Sequence, residues 1–181
     1  MKRKVWMVLC ALAPAWALAA FSPAAAPAAV SAFLEAEGFE GESTNAKFQK
    51  AIDVLSWSWG VTNPGGKPFF TSFSIQKNLD RTSPKLMEYA GTGQVIPRAK
   101  LRVIKVGGDQ QEFLRYCFAG VRVVSIQQSG TGGDSISESM SFSYEHIVQR
   151  YSQQNPDGSL RPPVFGGFDT VKNLILPPGD C

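Results

Sequence analysis

The chain is nearly without histidine: His146 stands alone among 181 residues, and cysteine is almost as scarce at three. A zinc or similar transition-metal centre needs several His, Cys or carboxylate ligands at short spacing. No second histidine and no cysteine pair at that spacing exists, so no metal site is expected. A G-x-S-x-G nucleophile elbow is also missing. Ser-His-Asp chemistry needs a base oriented by a carboxylate beside its nucleophile, so no catalytic residues and no enzyme are expected. The glycine pairs at 65, 107, 132 and 166 fall between strand-like runs. None opens a helix after a strand, which is the context a phosphate-cradling loop requires, and no cofactor is expected.

A basic surplus is lacking as well. The chain counts 18 Lys and Arg against 15 Asp and Glu, but Lys2, Arg3 and Lys4 sit at the extreme N-terminus, and without them the balance is 15 to 15. Proteins that bind nucleic acid draw much of their affinity from neutralising phosphates, so a nucleic-acid partner is not expected. Beyond the N-terminus no apolar run is long enough to read as a membrane span.

The N-terminus itself has a recognisable order. "MKRK" is basic, "VWMVLCALAPAWALAA" is apolar but interrupted by Pro14, and small-residue stretches such as "AAAPAA" follow. Basic, apolar, then A-x-A describes a secretory signal peptide. Residues 1–29 are read as signal and alanine-rich linker, cut after Ala19 or a later alanine up to Ala29. The mature chain is then expected in the periplasm or outside the cell, with no membrane association. If the signal is retained, assembly in the cytoplasm is expected instead. Cys117 and Cys181 remain after cleavage. In an oxidising compartment they could pair; otherwise Cys117 is a buried thiol and Cys181 a free one at the end of a Pro-rich tail.

The remaining pattern is strand-rich. "SAFLEAEG" (31–38), Ile52 to Val61, "FFTSFSIQKNL", "AKLRVIKVGG", "EFLRYCFAGVRVVSIQQSG", "SISESMSFSYEHIVQRY" and "VFGGFDTVKN" read as strands separated by glycine-rich turns. The fifth is expected to bend at Gly120. One short helix of about two turns is expected in "RTSPKLMEYAGTG", capped by Ser83, with Pro84 in its first turn and Gly91 at its stop. Long strands with a single helix predict a mainly β fold, an antiparallel barrel or sandwich. One domain is expected over residues 31–173, followed by a Pro-rich tail at 174–181.

The stretch "DVLSWSWGV" carries two of the four tryptophans. Period 2 places Asp53, Leu55, Trp57, Trp59 and Val61 on one side, read as packed, and Ile52, Val54, Ser56, Ser58 and Gly60 on the other. Along "SISESMSFSYEH", Ser137, Ser139, Ser141 and Ser143 form a row opposite Ile136, Glu138, Met140, Phe142, Tyr144 and His146. Two strands with a small, polar, uncharged face suggest a second surface that is neither core nor ordinary charged exterior.

In order and spacing these pieces resemble the Hcp family, the tube-forming subunits of bacterial type VI secretion. The resemblance rests on G-E-S in "GFEGESTNAKF", on W-S-W after "IDVL", on the D-x-x-S-P-x-L start of the helix in "NLDRTSPKL", and on the "AKLRVIKVGG" hairpin. It closes with "GGFDTVKN", spanning roughly residues 33 to 173. It implies a barrel-like fold with one helix and a homo-oligomer, a hexameric ring with a wide lumen. Secreted effector proteins can sit in that lumen, and no cofactor is needed. By the same resemblance Ser58 takes a lumen-facing position, with Ser56 and Gly60 beside it as candidate cargo-facing residues. The export signal departs from the family, whose tubes assemble in the cytoplasm. The other expectation is therefore an exported periplasmic or extracellular β-barrel binding protein that reuses this fold.

Overall fold

The computed structural model describes residues 29–106, 110–130, 132–133, 135–155 and 157–177. Residues 1–28 of the expected signal and linker segment, and Cys181, lie outside them. In chain order the strands are β1 (Val30–Ala36), β2 (Ile52–Val54), β3 (Ser56–Ser58), β4 (Val61–Thr62), β5 (Phe69–Phe70) and β6 (Phe73–Asn78). Helix α1 (Ser83–Thr92) follows, then β7 (Val95–Lys105), β8 (Glu112–Gly130), β9 (Ile136–Ser143), β10 (His146–Tyr151), β11 (Val164–Asp169) and β12 (Leu174–Ile175). The fold is mainly β, with antiparallel pairing throughout, as the alternating pattern predicts.

The barrel closes around β8. One edge of that strand pairs with β7, and β7 with β1. Its other edge pairs with β10 near its start and with β9 near its end. From β9 the ladder runs through β6 to β3, and β2, one residue upstream of β3, pairs back to β1. The bent path β2–β3 thus joins the two ends of the wall. Strands β10, β11 and β12 extend the sheet beyond the barrel, and β4 and β5 form a separate two-stranded ribbon. Gly120 lets β8 serve two neighbours on one edge. Its φ is +63°, and the space where a Cβ would stand is filled by the Glu145 side chain, 2.6 Å away. A bend at this position in a left-handed conformation is one that glycine adopts without strain.

The core comes from the inward positions of these strands. Phe73, Phe118 and Phe142 form mutual ring contacts at 4.8 to 5.4 Å, with Tyr116 and Tyr144 alongside. Leu34, Ile52, Val54, Ile75, Leu101, Val103 and Met140 complete it. Such aromatic pairs contribute about 0.5–1.5 kcal/mol each beyond the area they bury.

Two expectations about the tryptophan stretch are corrected. It is not one strand, and it does not keep one phase. Ile52 and Val54 are buried, whereas Asp53 and Leu55 are exposed, so at its start the inward side is the opposite of the one predicted. Leu55 and Ser56 are then both exposed, and beyond them Trp57 and Trp59 turn toward the core. The chain changes partner here, from β1 to β6, with the Leu55 N–H donating to the Gln76 carbonyl at 2.7 Å. That corner consumes an extra residue and flips every later side chain. The tryptophans are half-buried, with Trp59 edge-on to Tyr116 at 5.9 Å.

Helix α1 also differs in detail. It runs past Gly91 and stops at Gly93, whose φ is +68° and whose N–H donates to the Tyr89 carbonyl at 2.9 Å. Thr82 occupies the N-cap position without a side-chain cap bond. The carboxylate of Asp80 receives the Thr82 N–H and hydroxyl instead. Ser83 takes another role: its Oγ accepts from the Asp80 N–H at 3.2 Å and from Lys77 Nζ at 2.9 Å. Lys77 lies on the core face of β6 and is fully buried, as is Glu138 opposite it on β9. Its ammonium meets Glu138 at 3.0 Å and Asp80 at 2.9 Å, and Gln128 Nε2 donates to the far Glu138 oxygen at 2.7 Å. Burial pushes the Asp80 carboxyl up, but the hydrogen bonds from Lys77 and Thr82 and the Lys77 charge outweigh it and hold it below its ordinary value.

Candidate functional site

The strand register assembles the second surface that the serine pattern suggested. On the outward face of β3, β6, β9 and β8, Ser58 stands opposite Ser74, Ser74 opposite Ser141, and Ser141 opposite Ser125. The next row is Ser56, Gln76, Ser139 and Gln127, and beyond it Asn78, Ser137 and Ser129. The same registers place Trp57, Ile75, Met140 and Ile126 inward, so each row of core has a polar row on its back. Every member of these outward rows is short or medium, polar and uncharged.

Hydrogen bonds within the carpet tie it down. The Ser125 and Ser141 hydroxyls bond to each other, and the Ser137 hydroxyl donates to the Ser129 carbonyl at 3.2 Å. Ser56, Ser58, Ser74, Gln76 and Ser139 line one shallow depression. Apolar side chains are exposed at this surface where alternation slips: Leu55 at the β2–β3 corner, and Val124 at the β8 irregularity between Val123 and Ser125.

Of the three predicted site residues, the structure brings Ser56 and Ser58 into this carpet, both exposed. Gly60 lies beyond the end of β3. Its N–H donates to Thr71 Oγ1 at 2.8 Å, and its carbonyl accepts the Thr71 N–H at 2.9 Å. It therefore belongs to the bridge leading into the β4–β5 ribbon. Sequence reading missed the middle of the carpet. Ser74, Gln76 and Asn78 alternate with Phe73, Ile75 and Lys77 in "FSIQKN", and that alternation was the signal. Lys77 obscured it, since a lysine ordinarily marks an exposed face.

The outward face of the neighbouring wall has the opposite character. Arg102, Arg115 and Arg150 stand side by side on β7, β8 and β10. Glu112 meets all three, at 3.0, 2.6 and 3.5 Å, and Glu35 meets Arg102 at 2.9 Å. His146 sits 3.2 Å from Asp169, whose carboxylate also accepts the Lys172 and Val171 N–H groups. Those bonds, the one from Lys172 foremost, hold the Asp169 carboxyl below its ordinary value. Among the described residues no cluster of three or more His, Cys, Asp or Glu is placed to hold a metal ion, and no helix is long and apolar enough to cross a membrane.

Comparison with known proteins gives a consistent set of relatives. A family model described as "Type VI secretion system effector, Hcp" matches residues 33–151. The chain is 32% identical over 159 residues to Protein hcp1 of Pseudomonas aeruginosa, spanning 81% of this chain and 98% of that one. Among solved structures, one described as a type six secretion system protein aligns with a TM-score of 0.79 at 30% identity, over 82% of this chain and all of that one. Hcp1 from Salmonella typhimurium aligns with a TM-score of 0.71 at 29% identity, again over 82% of this chain and 100% of its own.

Proposed function

The chain belongs to the Hcp family of type VI secretion tube proteins, and from that premise we propose that it forms a hexameric ring whose lumen is walled by the serine carpet. The observation that carries the proposal is that the three outward rows from Ser58–Ser125 to Asn78–Ser129 hold no charged side chain, the nearest on that face being Arg122 at their edge, opposite Ser143. A passage for folded cargo must stay wet without gripping. Serine, glutamine and asparagine offer hydrogen bonds to water, while fixed charge would attract one class of cargo and repel another. Short side chains also keep the passage wide. The Arg–Glu network occupies the other outward face, where like-charged arginines are held in place by Glu35 and Glu112. The family is a structural one, and we assign this chain no catalytic role and no cofactor.

In this reading Ser56 and Ser58 face the lumen and touch cargo, and Gly60 carries the wall into the β4–β5 ribbon. Ser58→Arg tests it. The side chain is exposed on a sheet surface, so stability in urea should change by no more than about 0.5 kcal/mol. The mass of the assembly by light scattering should also be unchanged, while co-purifying effector proteins should be lost. Retention of cargo at the wild-type level would contradict the assignment. A unit that stays monomeric would favour the exported binding protein instead.

Export is the second part of the proposal: residues 1–29 direct the chain out of the cytoplasm and are then removed. Mass spectrometry of the protein from its native cell should find an N-terminus beginning between residues 20 and 30. An intact Met1 would contradict export and place assembly in the cytoplasm.

A further inference from the structure

Beyond Arg122, one edge of β8 has no strand beside it among the described residues. Residues 112–122 pair on that edge with β7, and the ladder ends where Val95 stands opposite Arg122. Residues 123–130 pair only with β9, on the other edge, and no further backbone hydrogen bond reaches them. At the far side of the carpet, β3 pairs with β6 and is likewise open on its other edge. We infer that these two open edges are the halves of one contact: the second half of β8 in one copy pairs antiparallel with β3 of the next copy. The inference rests on the ring proposed above and says which edges make it.

An open strand edge is a template for another strand, and proteins ordinarily guard it with proline, charge or short length. Those guards are present elsewhere. Strand β12 is only Leu174–Ile175 and is followed by Pro177, and the short strands of the β4–β5 ribbon are separated by Pro64 and Pro68. Strands β1, β6, β7, β9, β10 and β11 each have a strand on both sides. The second half of β8 has no such guard. Its sequence "VVSIQQSG" holds no charge and no proline, and residues 127–130 are exposed. An antiparallel edge of this length offers about four N–H and about four C=O groups. Helix α1 does not satisfy them: Leu86 belongs to the main core with Tyr89 and Ala90 against it, and no α1 backbone group bonds to this stretch. The two apolar side chains exposed at the carpet stand at these same margins, Leu55 next to β3 and Val124 on β8. Pairing would cover both.

Direction and facing agree. The pairs β3–β6, β6–β9 and β9–β8 are all antiparallel, so β3 and β8 run in opposite directions. Rotation about a ring axis keeps that opposition when β8 of one copy is set beside β3 of the next, so the seam is antiparallel like every pair in the sheet. An odd number of strands would have brought parallel neighbours together. Ser125, Gln127 and Ser129 on β8 share the outward face with Ser56 and Ser58 on β3, so the seam leaves the polar wall unbroken. The contact joins two different edges, and only a closed ring satisfies both edges of every copy.

Cysteine pairs test the seam in the full chain. Ser58→Cys is combined in one chain with Ser125→Cys, Gln127→Cys or Ser129→Cys, which sample the registers open to that face. Within one copy β3 and β8 are separated by three strand spacings, about 14 Å. A disulfide needs Cα atoms within about 7 Å, so a bond between these positions has to cross to another chain. After oxidation, a denaturing gel without reductant should show, for at least one pair, a ladder of linked chains ending at six. Each single variant should match the wild type. Mixing chains that carry Ser58→Cys alone with chains that carry the β8 cysteine alone should stop the ladder at two. A six-chain assembly by light scattering that gives no ladder with any of the three pairs would overturn the seam and leave the ring standing. Chains that stay monomeric would overturn both.

Discussion

Gly41 shows why the G-E-S motif needs its glycine. Its N–H donates to the Lys50 carbonyl at 2.6 Å, and a Cβ there would lie 2.2 Å from the Ala51 carbonyl oxygen. The neighbouring residues use the same close approach: the Ser43 N–H donates to that Ala51 oxygen at 3.0 Å, and Glu42 accepts the Arg81 N–H at 3.0 Å. This loop folds Phe48 and Ala51 over Phe33 and Ile104 as a small second core. Gly41→Ala has no free direction in which to move, because the obstacle is backbone. It should cost about 1–3 kcal/mol, as overpacking does, measured as a lower urea midpoint with an unchanged slope. A variant of wild-type stability would show that the loop is not held by this contact.

Helix α1 depends on the buried ammonium of Lys77 more than on its own sequence, since it has no acidic residue in its first turn and no side-chain cap. Lys77→Met leaves the buried Glu138 carboxylate without its cation, with only the Gln128 amide still bonded to it, and should cost about 3–5 kcal/mol. Lys77→Met combined with Glu138→Leu removes both charges and should recover most of that loss. Equal instability of the single and double variants, by denaturant unfolding, would show that the pair is not what matters. Much at this scale was legible. Alternation predicted β1, β6, β8 and β9 and set Met140 and Phe142 opposite the serine row, and the bend in β8 falls at Gly120 as expected. The corner at Leu55 was not legible. In "IDVLSWSWG" the apolar residues continue on both sides of the slip, so composition does not reveal where the phase changes. The signal that decides it is the change of partner from β1 to β6, a long-range pairing that no local window contains. The helix stop was misplaced for a related reason. Gly91 and Gly93 are both candidates, and packing of Tyr89 and Ala90 against the core carries the helix past the first.

At the scale of the whole molecule, the barrel separates two kinds of exterior. One wall carries the Arg–Glu network, and the other the uncharged carpet. Half of the carpet was visible in the sequence as the serine row of β9 together with Ser56 and Ser58. The other half needed the strand order, because β6 and the far end of β8 are brought beside β9 only by the closed topology. The position of that carpet within an assembly is the central claim, and a cryo-electron microscopy reconstruction of the purified chain tests it most directly. The account predicts a six-fold ring with Ser56, Ser58, Ser74 and Ser139 lining the central hole. A monomer, or a ring carrying those residues on its outer rim, would contradict it.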